Sequence, residues 1–216
     1  MAIPLIKPYE MPSQAQLLAN EAQWRCDPSR SVLLIHDMQQ YFLDFFPRDE
    51  PPVTDLVANI ALLRRAMRAH GVPVIYTAQP GGMTLQERGL LLDIWGPGMS
   101  TSSEEREIVP DLAPEPSDVV LVKWRYSAFA RSNLSLLLHE LQRDQLIICG
   151  VYAHVGCLMT ACDAFSADIQ PFLVADAIAD FTLEYHLMAL RYASERCAVT
   201  LLSTQLLDDL NAASGR

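Results

Sequence analysis

This sequence predicts a single three-layer, doubly wound (Rossmann-like) α/β domain with a parallel sheet of about six strands. Three observations predict it: short, β-branched, almost wholly apolar runs recur along the chain, segments with helical spacing separate them, and glycine or proline punctuates many of the junctions. Strands that alternate with helices form βαβ units, whose crossovers cover both faces of a parallel sheet. The 216 residues suit one domain with one large core, because half of them are hydrophobic and only 19% are charged.

Residues 1–30, with Pro4, Pro8, Pro12 and Pro28, read as an extended N-terminal arm with a short helix near "SQAQLLANEAQW", and residues 31–216 as the domain. "SVLLIHD" is apolar on both faces, as a fully buried strand must be. "TDLVANIALLRRAMRAHG" carries apolar residues at helical spacing and stops at Gly71. "VPVIYTAQ" is the next strand. Residues 80–117, rich in Gly, Pro and Ser, form a looser segment in which Ser102 and Glu105 offer a capping box. "DVVLVK" then reads as a strand, "SNLSLLLHELQR" as a helix, "QLIICG" as a strand and "GCLMTACDAFSAD" as a helix. "PFLVADAIAD" reads as strand and loop, "LEYHLMALRYASER" as a helix, "AVTLLS" as the last strand and "TQLLDDLNAA" as a closing helix.

Composition excludes several classes of partner. Lys and Arg number 16 against 26 Asp and Glu, a net charge of −10, so the broad basic surface that nucleic acid requires is missing. No apolar run approaches the ~20 residues of a membrane span, and no secretory leader pattern opens the chain. The five cysteines (26, 149, 157, 162 and 197) are odd in number and lie mostly in apolar runs, which predicts reduced thiols and a cytoplasmic location. With neither a CxxC pair nor an HExxH motif, no metal or other cofactor is expected.

Ligands of an open parallel sheet bind beyond the carboxyl ends of its strands. Asp37 follows "VLLIH", Gln79 follows "VIYTA", Lys123 ends "VVLVK" with Trp124, Arg125, Tyr126 and Ser127 behind it, and Tyr152 to Gly156 follow "LIICG". A lone Asp after a strand is usually a cap, and a lone Lys there a solvated strand end. Four strands delivering polar groups to one rim favour a catalytic reading.

The blocks "LLIHDMQQYF", "YTAQPGGMT", "RGLLLDIWGPGM", "LVKWRYSAF", "GVYAHVGC" and "IQPFLVADAIADF" resemble the isochorismatase family, a branch of the nicotinamidase-like cysteine hydrolases, over nearly the whole chain from Ile3. The hydrolytic members use an Asp–Lys–Cys triad, and Asp37 and Lys123 match its first two positions. The nucleophile lies six residues after the glycine of a Gly-Val-x-x-x-x-Cys pattern. Counted from Gly150 that position is Gly156, and Cys157 lies one residue beyond, rotated by about 100° on a helix. Cys157 therefore reads as a small buried apolar residue.

Glycine at the attacking position is what the vinyl-ether-cleaving members of the family show. The resemblance implies hydrolysis of the enolpyruvyl ether of isochorismate or 2-amino-2-deoxyisochorismate, releasing pyruvate and a dihydro-hydroxy ring acid. A general acid, here Asp37, would protonate the methylene carbon, and water would add to the oxocarbenium ion. An ordinary aspartic acid holds a proton only about once in a thousand at pH 7. A neighbouring lysine favours the carboxylate, so desolvation and the two carboxylates of the substrate must oppose it. Lys123 is expected to orient Asp37 and to stabilise substrate charge or the ether oxygen.

The small dianionic, chorismate-derived substrate would be held by Arg88, Gln79, Lys123 and Tyr126, with Trp95 and Tyr152 walling the ring. Strand alternation sends His36 to the other side of the sheet from Asp37, and His154 is read as structural. The resemblance also implies a cis peptide between Val151 and Tyr152 that aims backbone donors into the site.

The blocks "QPGGMT" and "IQPFLVADAIADF" look most like the single-domain phenazine-pathway members that take the 2-amino substrate, with siderophore-pathway isochorismatases as the alternative. No carrier-protein domain is expected after the last helix, and a homodimer is expected from the resemblance. Two other classes stay open at this point: an amidohydrolase of the nicotinamidase type using Cys157, and a non-catalytic binding protein on the same fold.

Overall fold

The computed structural model describes residues 3–214. Its six strands are β1 (Ser31–His36), β2 (Val74–Ala78), β3 (Val119–Val122), β4 (Gln145–Val151), β5 (Gln170–Ala179) and β6 (Val199–Leu201). They form one sheet, parallel throughout, in the order β3-β2-β1-β4-β5-β6. The predicted architecture is therefore the observed one. Every residue of β1 and β4 is buried, because these central strands have helices on both faces, and this is why their sequences do not alternate.

The helices, in chain order, are α1 (Gln40–Leu43), α2 (Val53–Ala69), α3 (Leu85–Arg88), α4 (Leu91–Trp95), α5 (Ser103–Arg106), α6 (Leu134–Glu140), α7 (Leu158–Ser166), α8 (Leu183–Arg196) and α9 (Ser203–Ser214). Successive residues of β1 divide between the layers. Leu33 and Ile35 pack with Leu56, Ile60, Leu63 and Met67 of α2 and with Leu206 and Leu210 of α9. Val32 and Leu34 face Leu134 and Leu138 of α6, Ala161 and Ala164 of α7, and Ala189, Leu190 and Ala193 of α8. The stripe on α2, at spacings of four, three and four, is the face that a 3.6-residue period buries.

Several local readings are corrected. The helix expected near residues 13–24 is one 3₁₀ turn, Gln14–Gln16. The loose segment 80–117 holds three short helices, α3 to α5. The Ser102 side chain caps nothing, and Glu105 accepts instead from the Ser100 amide at 2.7 Å. A true capping box joins Thr84 and Glu87 at the start of α3. The supposed loop in "PFLVADAIAD" stays in β5, whose pairing with β4 shifts register between Ile148 and Gly150.

Residues of the N-terminal arm lie along the domain itself. The Ile6 amide donates to Phe45 O at 2.8 Å, and the Tyr9 hydroxyl reaches the backbone of Asp180 and His186 Nδ1.

Candidate active site

The chain runs outward from β1 to β2 and β3, then crosses back to place β4 on the other side of β1. The crevice between the carboxyl ends of β1 and β4 is the topological switch point of the sheet, where such folds bind ligands. A cleft of about 590 Å³, its open mouth included, lies there. Asp37, Gln79, Arg88, Trp95, Lys123, Tyr126, Tyr152 and Gly156 all line it, so every site residue predicted from the sequence meets in one place.

Strand β1 ends at His36, and Asp37 takes a left-handed backbone conformation, φ +51°. Aspartate tolerates this region better than most side chains. The turn ends the alternation of the strand, and His36 therefore also lines the cleft, contrary to the expectation that it faces away. Its Nδ1 lies 2.8 Å from Val151 O and 3.9 Å from Asp37 Oδ2. Burial pushes its pKa down to about 4 against the pull of Asp37, so the ring is neutral near pH 7.

Asp37 is only 4% exposed, yet both carboxylate oxygens have donors. Thr77 Oγ1 donates to Oδ1 at 2.6 Å while accepting from the Asp37 amide, and Lys123 Nζ donates to Oδ2 at 2.9 Å. Lys123 also donates to the carbonyls of Arg125 at 2.6 Å and Tyr126 at 3.4 Å. An ammonium has three N–H groups. All three are committed to protein acceptors, so Lys123 is fitted to hold Asp37, while contact with the ether oxygen would need one of these bonds to exchange.

Gln79 is set by Gln39, which the sequence reading passed over. The Gln39 amide group donates to Gln79 O and Arg106 O, and its oxygen accepts from the Gln79 amide at 2.7 Å. Arg88, 6% exposed, donates to Gly96 O at 2.9 Å and lies 3.4 Å from Gln79 Oε1, with no carboxylate partner among the described residues. Burial moves this guanidinium below the usual arginine range. A buried cation without a counter-charge is costly, so the arrangement suits an anionic ligand. Trp95 Nε1 donates to the Tyr126 hydroxyl at 2.7 Å, and the Tyr152 hydroxyl donates to Phe42 O at 2.7 Å, which leaves the rings as walls.

The Val151–Tyr152 peptide is cis, as the resemblance implies. The amides of Val155, Gly156 and Cys157 converge on Tyr152 O. They form a π turn, Ala153–Cys157, ahead of α7. Within it Gly156 faces the cleft, whereas Cys157 is fully buried in the layer of α6, α7 and α8, and burial pushes its thiol well above the usual range. The reading that uses Cys157 as a nucleophile is thereby overturned. His154 binds Asp180 at 2.7 Å and stacks on Tyr185, outside the cleft. Thr77, Tyr41, Phe181 and Ile3 were missed. Thr77 stands out as a hydroxyl inside the apolar run "VIYTA", but nothing in the sequence ties it to Asp37.

Among the described residues no group of His, Cys, Asp and Glu side chains could hold a metal ion. No helix there is long and apolar enough to cross a membrane.

Comparison with known proteins agrees with this geometry. The family model described as the isochorismatase domain matches residues 31–205. The phenazine biosynthesis protein PhzD of Pseudomonas fluorescens is 55% identical over 208 residues, covering 95% of this chain and 98% of that one. The isochorismatase of Bacillus subtilis is 54% identical over 99% of this chain and 68% of its own, and enterobactin synthase component B of Escherichia coli is 48% identical over 96% and 73%. Among solved structures, a cysteine hydrolase from Pseudomonas syringae pv. phaseolicola superposes with a TM-score of 0.82 at 22% identity, covering 88% of this chain and 97% of that one, a likeness of fold.

Proposed function

The chain belongs to the isochorismatase family and is a hydrolase of that type, and from this premise we propose that it cleaves the enolpyruvyl ether of 2-amino-2-deoxyisochorismate by proton transfer from Asp37. The single observation that carries the mechanism is the corner of the cleft where Asp37, held from two sides by Thr77 and Lys123, lies across from a residue with no side chain. The carboxyl group has the chemistry to protonate carbon, and Gly156 has none with which to attack.

In this mechanism the substrate enters with its carboxylates toward Arg88 and Gln79. Its negative charges favour proton uptake at the Asp37 carboxyl, which passes the proton to the terminal methylene carbon of the enol ether. The oxocarbenium ion that forms takes up water, and the hemiketal collapses to pyruvate and 3-hydroxy-dihydroanthranilate. Lys123 keeps the carboxyl aimed, and Tyr126, Trp95 and Tyr152 exclude bulk water from the ring. No covalent enzyme intermediate occurs.

Isochorismate, giving 2,3-dihydro-2,3-dihydroxybenzoate, is the second reading, favoured by the near-equal identity to an isochorismatase. The amino substrate is placed first because the blocks "QPGGMT" and "IQPFLVADAIADF" look most like the phenazine-pathway members. The product then enters phenazine-like biosynthesis in the first case and siderophore biosynthesis in the second. The proposed setting is a homodimer in the cytoplasm, consistent with five free cysteines and with the exposed Val120 and Val122 on edge strand β3. Sedimentation velocity would detect a monomer. Offering both substrates to the purified protein, with pyruvate read by a coupled assay, tests the activity: no pyruvate from either one removes the proposal.

A further inference from the structure

Gly156 and His36 fit one another too closely to be independent. A Cβ built on Gly156 would stand 2.2 Å from Cε1 of His36, 2.9 Å from Nε2 and 3.0 Å from Nδ1. These are clashes with a ring, whose atoms cannot bend aside one at a time. The ring as a whole is also held. It is fully buried, its Nδ1 is 2.8 Å from Val151 O, and its backbone lies in register with Gly150, where an added Cβ would meet His36 O at 2.1 Å. Nε2 has no hydrogen-bond partner. What the ring does to position 156 follows from the volume it fills.

We propose that His36 determines the reaction class of this cleft: its ring occupies the space where any side chain at position 156 would begin, which makes glycine obligatory there and closes the covalent route. The inference rests on the reading of Gly156 as the vacated attacking position, and it adds the residue responsible for keeping that position vacant. On this account restoring a thiol takes two changes. Gly156→Cys alone collides with the imidazole, and removal of the ring by His36→Val makes the room. The valine is β-branched and suits the end of a strand.

The test compares wild type, His36→Val, Gly156→Cys and the double variant, and repeats the set with Gly156→Ala, which adds a methyl group and no sulfur. Overpacking of this kind lowers the melting temperature by roughly 3–10 °C in a chain of this size. We expect each single substitution at 156 to show that loss, and the double variants to melt above the corresponding 156 single variants. Peptide mass spectrometry after iodoacetamide treatment reads the introduced thiol itself, which should be alkylated at least about tenfold faster once the ring is gone. Double variants that melt no higher than Gly156→Cys and Gly156→Ala overturn the proposal, as does an introduced thiol that reacts equally fast with His36 present. None of these readouts uses the substrate, so a wrong substrate assignment would show as absent pyruvate and leave this result untouched.

Discussion

Asp37 follows β1 and Cys157 closes the π turn that follows β4, and both are almost inaccessible, at 4% and 0%. They differ in what surrounds them. The carboxylate receives a hydroxyl, an ammonium and an open cleft. The thiol receives the carbon atoms of the layer behind the sheet, and burial holds it in its protonated form. A thiol without its proton removed is a poor nucleophile. Burial by itself thus says little about reactivity; donors aimed at the group and an open path to substrate decide it.

The comparison breaks most decisively at Asp37. Asn in its place keeps the shape and cannot hand a proton to carbon, so pyruvate release should fall about a thousandfold; a variant within tenfold of wild type would remove Asp37 as the acid. Next comes Arg88→Met, which takes away the buried cation with no protein carboxylate beside it. A hydrogen bond to a charged group contributes ~1.5–3 kcal/mol, so KM should rise roughly 10- to 100-fold with a smaller change in kcat. A loss confined to kcat would mean that Arg88 does not bind ground-state substrate.

Thr77→Val sharpens the contrast by removing one of the two donors on the Asp37 carboxylate. The expected loss is about 10-fold in kcat at unchanged KM, the low end for one neutral-to-charged hydrogen bond. Rescue by Thr77→Ser would assign the loss to the hydroxyl rather than to packing. The smallest effect is expected at the other end of the comparison. Cys157→Ala should keep pyruvate release within about twofold, and iodoacetamide should not inhibit the wild type. Inactivation by either route would restore the covalent reading.

The sheet was legible because each buried strand, such as "SVLLIHD" or "QLIICG", is an apolar run whose neighbours are helices in period and length. The rim was legible for the same reason: once the strands are placed, Asp37, Gln79, Lys123 and Gly156 are fixed at their carboxyl ends. The roles of His36, Thr77 and Gln39 were not legible. His36 follows from a left-handed turn at Asp37 that no pattern announces. Thr77 matters through its bond to Asp37, 40 positions away in sequence, and pairing between strands is a long-range fact. Gln39 sits one residue past a methionine with nothing to distinguish it from the Gln40 beside it. The capping box failed because Glu105 found a better-placed amide in the loop before it.

The strand order has a consequence for synthesis on the ribosome. β1 emerges first yet lies between β2 and β4, and its second edge stays without a partner until residues 145–151 have been made. A nascent chain that has reached only β3 therefore carries one open side of a largely apolar strand, the kind of template on which chains stick to one another. The carboxylate and the glycine turn meet only when that edge closes. The half-made protein is thus both unprotected and chemically silent, and the same docking event ends both conditions.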